Sequence, residues 1–275
     1  METKVKNETK AGQENKGGSI FAALTIIICL VVAHLVFHLV MGNGNNFEGG
    51  DNNNHPLPGN YLGIVYKGGH IVPILMSFFL IVLTVGIERF FTLSKANGSG
   101  SVEGFVLKVK SLLSANRVDD AIAECDRQKG SVGNVVRATL LTYKDMVVEP
   151  GLDKEQKVTA IQKSTEEATS LELPMLEKNL TILSTLASVA TLVALLGTVL
   201  GMIRAFAAMA TAGAPDATAL ANGISEALIN TAIGIGTSAI SIIVYNYFTS
   251  KIDTLSYSID EAGMSIAQTF ASNHK

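Results

Sequence analysis

Long apolar stretches and charged blocks alternate along this 275-residue chain. The first stretch, 20–41 (IFAALTIIICLVVAHLVFHLVM), is uncharged over 22 residues when its two histidines are neutral. At about 1.5 Å per residue that crosses the ~30 Å hydrocarbon layer. A second covers 71–93 and has Glu88-Arg89 near its end, where the charged heads are expected in water or paired with each other. A third spans 179–212 and a fourth 224–249, joined by a short turn at 213–223. The charged run EQKVTAIQKSTEEATSLELPMLEKNL passes straight into the third, with Pro174 as its only breaker. One continuous helix is therefore expected there, carrying the third span out into the cytoplasm.

Between the second and third spans, 94–178 holds 12 Lys/Arg and 13 Asp/Glu, with Val102, Phe105, Val106, Val109, Leu112 and Leu113 at helical intervals. This pattern predicts a soluble helical domain. Asn116 is expected to cap a helix through RVDDAIAECDRQ, Gly130 to end it, and another helix to start near Asp153. The segment 42–70 is rich in Asn and Gly, a composition expected of an exposed loop. The ends are a Lys-bearing tail at 1–19 and an amphipathic segment at 250–275. The first span exceeds a signal-peptide core and ends in MGNGNN without an A-x-A site, so it is expected to stay as an anchor. The fold class that follows is an all-α integral membrane protein of four transmembrane helices with a cytoplasmic helical domain.

Composition agrees: 48% hydrophobic against 16% charged residues, and a mean hydropathy of +0.34. A net charge of -3 leaves no basic excess for nucleic acid. The tail, the 94–178 block and the last segment hold 18 of the 21 basic residues, whereas 42–70 and 213–222 share one, Lys67. By the positive-inside rule both termini are expected in the cytoplasm. Cys29 and Cys125 then lie in different compartments, which excludes an intrachain disulfide and leaves them as small apolar filler. His34 and His38, four residues apart, have metal-compatible spacing, but no carboxylate or cysteine accompanies them, so polar helix contacts are the better reading.

The candidate chemistry lies in the last two spans. Glu226 sits two residues inside the fourth, where an ionised carboxylate costs roughly 2.5–3.5 kcal/mol if it faces lipid. It must face protein or water. At helical steps from it, Asn230 or Thr231, Gly234, Ser238 and Ser241 make a polar or small stripe. In LLGTVLGM of the third span, Thr198 stands beside the Gly197/Gly201 pair that allows close helix approach; taken singly, either threonine is more simply structural. Arg204 is either an interface anchor or the charge that balances Glu226. No nucleophile–base pair, phosphate loop or metal box is present, so an enzyme is disfavoured and no cofactor is expected.

LEKNLTILSTLASVATLVALLGTVLGMIRAF followed by GISEALINTAIGIGTSAISIIVYNYF resembles the MotA/TolQ/ExbB proton channel family, most closely its ExbB members. The resemblance covers roughly 71–255; residues 1–70 have no counterpart in the three-span form. It implies a homo-oligomeric inner-membrane ring around single-span helices of an ExbD-like partner, whose carboxylate carries the proton, with output through a TonB-like protein. It also implies that Thr198, Thr231 and Glu226 line the lumen, with Asn230 and Ser238 along the same ion path and Gly197, Gly201 and Gly234 packing the helices. Thr191 and Ala194 stand where the family often has Pro and Gly, so a kink in the third span is not expected. The alternatives are a TolQ- or gliding-type stator, a transporter, and a structural scaffold.

Overall fold

In the computed structural model, which describes residues 23–211 and 217–274, nine helices carry the described chain: α1 (Ala23–Met41), α2 (Tyr61–Tyr66), α3 (Val72–Ala96), α4 (Val102–Ser114), α5 (Val118–Gln128), α6 (Gly130–Val148), α7 (Lys154–Glu177), α8 (Leu180–Thr211) and α9 (Ala217–Asn273). Short 3-10 turns lie between α1 and α3, and no strand occurs among the described residues. The protein is an all-α membrane protein: α1, the segment Gly69–Ala96, α8 and α9 are each long and apolar enough to cross a bilayer. Residues 1–19, the first three residues of the expected 20–41 span and 213–216 of the expected 213–223 turn fall outside the described residues.

The chain forms two compact units, Met1–Gly86 with Thr181–Tyr245, and Ile87–Leu180 with Asn246–Lys275. In the first, small residues let helices meet. Ala33 of α1 is fully buried, the Cys29 thiol lies 3.9 Å from Thr84 of α3, and Gly86 leaves room for Val244 of α9. The outward faces carry Leu192, Leu195, Val199, Ile203, Leu228, Ile235 and Ile243, all more than half exposed in the single chain, as bilayer-facing positions require.

The Asn-rich segment after α1 is largely exposed, and its side-chain amides also organise it. The last turn of α1, Val36–Met41, is π-helical, and Asn46 Nδ2 donates to the Val40 and Met41 carbonyls at 2.8 and 2.9 Å. Those carbonyls have no partner within the helix, so the amide acts as a C-terminal cap. Asn60 Nδ2 donates to Asn46 Oδ1, and Lys67 Nζ donates to the Asn52 and Asn53 carbonyls at 3.0 Å. Phe47, 2% exposed, packs edge-on to Tyr66, which stacks on Phe37. Side-chain amides here replace the hydrogen bonds that a polar, glycine-rich backbone would otherwise take from water.

The second unit has an amphipathic core. Val102, Phe105, Val106, Val109 and Leu113 form the buried face of α4. The end of α9 adds Phe248, Ile252, Leu255, Ile259, Ala262, Ile266 and Phe270, one stripe at steps of three and four residues. Tyr143 of α6 meets Phe270 edge-to-face at 5.0 Å, and Gly263 lets α9 approach Thr165 of α7. Asp153 starts α7 with a capping box to Gln156.

Local expectations need three corrections. Asn116 does not cap α5: its φ of 59° places it in the left-handed turn that ends α4, and Arg117 precedes α5 without a side-chain cap. The turn between the last two spans is shorter than 213–223, because residues 217–223 already belong to α9. The passage from α7 to α8 is interrupted, but at Lys178 and Asn179 (φ 64°), while Pro174 stays inside α7. Asparagine tolerates this conformation because its short amide bonds locally. Arg89, 1% exposed, closes the break: Nη1 donates to the Met175 and Leu176 carbonyls at 3.3 and 3.2 Å, and Nη2 and Nε to Glu88 at 2.5 and 2.7 Å. The Glu88-Arg89 pair is thus internal, with Asn179 Nδ2 as a further donor to Glu88.

Candidate ion-pathway site

The site residues lie on α8 and α9, whose facing surfaces are built from small side chains. A Cβ at Gly234 would fall 2.2 Å from Ala194 Cβ; at Gly201 it would fall 3.0 Å from the Gly223 carbonyl; at Gly197 it would meet Asn230 at 2.9 Å. Contact between carbons is normally 3.5–4.0 Å, so only glycine fits at Gly234 and Gly197 without displacement. Ala194 is the residue Gly234 accommodates, and α8 runs unbroken from Leu180 to Thr211.

That close approach brings Thr198 and Thr231 together. Their hydroxyls lie 2.5 Å apart, and each is 3.1 Å from the carbonyl four residues back on its own helix, Ala194 and Ala227. Thr198 Oγ1 also lies 3.3 Å from the Ala227 carbonyl. Two hydroxyl protons serve these contacts, one between the hydroxyls and one to a carbonyl, so the mutual bond can run in either direction with the same heavy-atom geometry. Both residues are half-buried.

Glu226 stands one turn before Asn230. Its side chain is 12% exposed, and Arg204 Nη1 donates to Oε1 at 2.6 Å from a side chain that is 52% exposed. Arg204 is thus placed against Glu226. Gly69, at φ +78°, is the backbone against which Glu226 packs: a Cβ there would lie 2.3 Å from Oε1. The carboxylate borders a cleft of about 650 Å3 that also takes in His55, Lys67, Arg204, Asn222 and Ser225. Burial lowers the Lys67 amine from its usual value, with Asp51 opposing the shift.

Two residues expected along the ion path, Asn230 and Ser238, are enclosed between helices. Asn230 is fully buried, its Nδ2 donates to the Gly68 carbonyl at 3.0 Å, and its Oδ1 has no protein partner among the described residues. Ser238 donates to the Ala187 carbonyl, and Ser241 to Leu183 at 2.7 Å. The small-residue stripe of α9 therefore faces α8, which leaves Thr231 and Glu226 as its partly exposed members, beside Thr198 of α8. Sequence reasoning missed the contacts that Gly68 and Gly69 make with Asn230 and Glu226; paired glycines just before an apolar run were the available signal. His34 and His38 lie with ring centroids 6.2 Å apart; His34 Nδ1 meets the Leu30 carbonyl at 3.2 Å, and His38 sits edge-on to Phe37.

Thr198, Glu226, Asn230, Thr231, Ser238 and Arg204 all fall within 132–261, the stretch that matches the MotA/TolQ/ExbB proton channel family. The chain is 32% identical over 136 residues to the Tol-Pal system protein TolQ of Pseudomonas aeruginosa, covering 47% of this chain and 59% of that protein. It is 44% identical over 81 residues to the biopolymer transport protein ExbB of Helicobacter pylori, covering 30% and 56%. A putative biopolymer transport protein ExbB-like 3 of Synechocystis sp. is 36% identical over 94 residues, covering 34% and 45%. The chain spans about half the length of these curated relatives, which carry both the TolQ and the ExbB names. The match to the MotA/TolQ/ExbB proton channel family thus covers residues 132–261, a little under half of the chain.

Proposed function

We propose that the chain is an ExbB-like stator subunit of an inner-membrane motor driven by the proton-motive force. In this reading several copies form a ring around the single-span helices of an ExbD-like partner, and a TonB-like protein carries the output to outer-membrane transporters. The observation that supports it most is the Thr198–Thr231 pair, two hydroxyls 2.5 Å apart on adjacent spans, one turn from a carboxylate held by Arg204. A proton moving down the membrane potential supplies about 2.3 kcal/mol per 100 mV.

The apolar stretches of this chain bear Glu226 and Glu88, and both carboxylates are held by an arginine, Arg204 and Arg89. Neither is free to be the group that loads and releases protons on each cycle, so that group belongs on the partner helix. Thr198 and Thr231 then serve as neutral donors and acceptors beside it, able to reverse their mutual bond as its charge changes. The charge bias of the polar segments supports cytoplasmic termini, a cytoplasmic 94–178 block and a periplasmic 42–70 segment.

A TolQ-type output is the second reading, carried by the TolQ relative of Pseudomonas aeruginosa. Deleting the chain from its host and measuring energy-dependent uptake through outer-membrane transporters tests the choice. Loss of uptake supports the ExbB-like reading; normal uptake with a defective envelope transfers the assignment to the TolQ type. Proton uptake by proteoliposomes holding the chain with its co-purified partner separates both from a passive scaffold, which takes up none.

A further inference from the structure

A second cleft, of about 370 Å3, lies within the other unit, between the ends of the apolar stretches of α3 and α9 and the start of α4. Its lining mixes Phe90, Tyr247 and Phe248, rings near the ends of the two apolar stretches, with the hydroxyl-bearing Ser94, Ser101 and Thr254. Phe90 and Tyr247 are 54% and 50% exposed, as aromatic residues at the hydrocarbon boundary are. The cleft therefore sits at the depth where phospholipid headgroups lie.

Two charged residues of opposite sign line it, Glu103 on α4 and Lys251 on α9. Among the described residues neither forms an ion pair, with the other or with any third group, and Lys251 Nζ lies 6.0 Å above the Tyr247 ring. A cation and a carboxylate that share a cleft but stay more than 4 Å apart fit a ligand with both charges and a spacer between them.

From this lining and its two unpaired charges we infer that the cleft binds the headgroup of one phosphatidylethanolamine molecule of the bilayer. Its phosphate takes the Lys251 ammonium, its primary amine donates to the Glu103 carboxylate, and its acyl chains leave along Phe90 and Tyr247. An amine can donate three hydrogen bonds to carboxylate and hydroxyl oxygens, which the quaternary ammonium of phosphatidylcholine cannot. A headgroup carrying only negative charge, such as phosphatidylglycerol, would satisfy Lys251 and meet repulsion from Glu103. The inference depends on the membrane fold and the cleft, and it stands whichever partner the ring holds.

Native mass spectrometry of the full-length protein in detergent, with each of the three lipids added in turn, tests it. The wild type is expected to retain phosphatidylethanolamine about fivefold more than phosphatidylcholine or phosphatidylglycerol. Lys251→Met should lower phosphatidylethanolamine retention to the phosphatidylcholine level. Glu103→Gln should reverse the order, with phosphatidylglycerol retained above phosphatidylethanolamine, an outcome that general loss of structure does not produce. Equal retention of all three lipids by the wild type, or an unchanged preference in both variants, overturns the proposal.

Discussion

Two glycines of α9, two positions apart, should respond to alanine with opposite signs. At Gly234 a Cβ would lie 2.2 Å from Ala194 Cβ and 2.9 Å from the Ala190 carbonyl. Neither atom is the end of a flexible chain, so the helices must separate by more than an ångström there. Overpacking of that kind costs about 1–3 kcal/mol, against a gain of up to ~1 kcal/mol from replacing a helical glycine. Separation also lengthens the Ser238–Ala187 and Ser241–Leu183 bonds on the same face. A net loss of about 1–2 kcal/mol follows, or about 2–8 °C at the few degrees per kcal/mol of a chain this size. Gly236 has nothing within 4 Å of its would-be Cβ, so only the backbone gain of ~0.5–1 kcal/mol remains. Thermal melts of the detergent-solubilised protein, followed by far-UV circular dichroism, should therefore move down for Gly234→Ala and slightly up for Gly236→Ala. A Gly234→Ala protein that melts at or above the wild type would refute the account of how α8 and α9 pack.

Thr198→Val and Thr231→Val each remove one hydroxyl and leave the other its own-helix carbonyl, so the structural cost should stay within about 0.6–1.7 kcal/mol while energy-dependent transport falls; normal transport in both at wild-type expression would make the pair a packing contact. Glu226→Gln keeps an acceptor for Arg204 and should retain more transport than Glu226→Ala, which empties the place beside Gly69; equal loss in assembled complexes would mean that the charge itself is required. Cys125, whose thiol burial pushes up to about 12, should resist thiol reagents near neutral pH until the protein is unfolded, even in opened membranes; prompt labelling of the native protein would contradict its 2% exposure. Because the folded thiol stays protonated while the unfolded one ionises above its ordinary 9.0, its contribution to stability is complete below that pH and declines as pH rises toward 12, a decline that Cys125→Ala should remove from an alkaline melt series. Sidedness is better read at exposed positions: Asn53→Cys should react with an impermeant reagent from outside and Ser114→Cys only after the membrane is opened, and the reverse pattern would overturn the orientation.

What was legible in the sequence follows a physical division. Spans and amphipathic faces were readable because hydropathy and the 3.6-residue period act locally: the stripe from Val102 to Leu113 is buried almost as the spacing predicts, and the four apolar stretches are the four long apolar helices. The Thr198, Thr231 and Glu226 trio was legible for a related reason, since polar groups in an apolar run are few and their helical phase is countable. Contacts that depend on a distant backbone were not. Nothing near Asn230 in the chain announces that its amide meets the Gly68 carbonyl, and nothing near Asn46 announces that it caps α1. Composition left the hydrogen-bonded order within 42–70 unread, because asparagine is scored as a loop former, whereas its amide can also replace the water that an irregular backbone needs.

The break between α7 and α8 shows the same division from the side of energetics. A helix that stops at Glu177 leaves its last carbonyls without partners, and a membrane-boundary position offers little water to satisfy them. Arg89 supplies donors to two of them, but a guanidinium that is 1% exposed is itself costly unless its charge is balanced. Glu88, its neighbour in sequence, provides that balance, and Asn179, in the left-handed turn that makes the break, donates to the same carboxylate. Each element answers a cost created by another, so removing Glu88 alone exposes a buried charge and removing Arg89 alone strands both the carbonyls and Glu88. A pair that the sequence presents as an ordinary interfacial Glu-Arg is thus the condition for ending α7 three residues past Pro174 and starting α8 afresh, instead of running one helix through the junction.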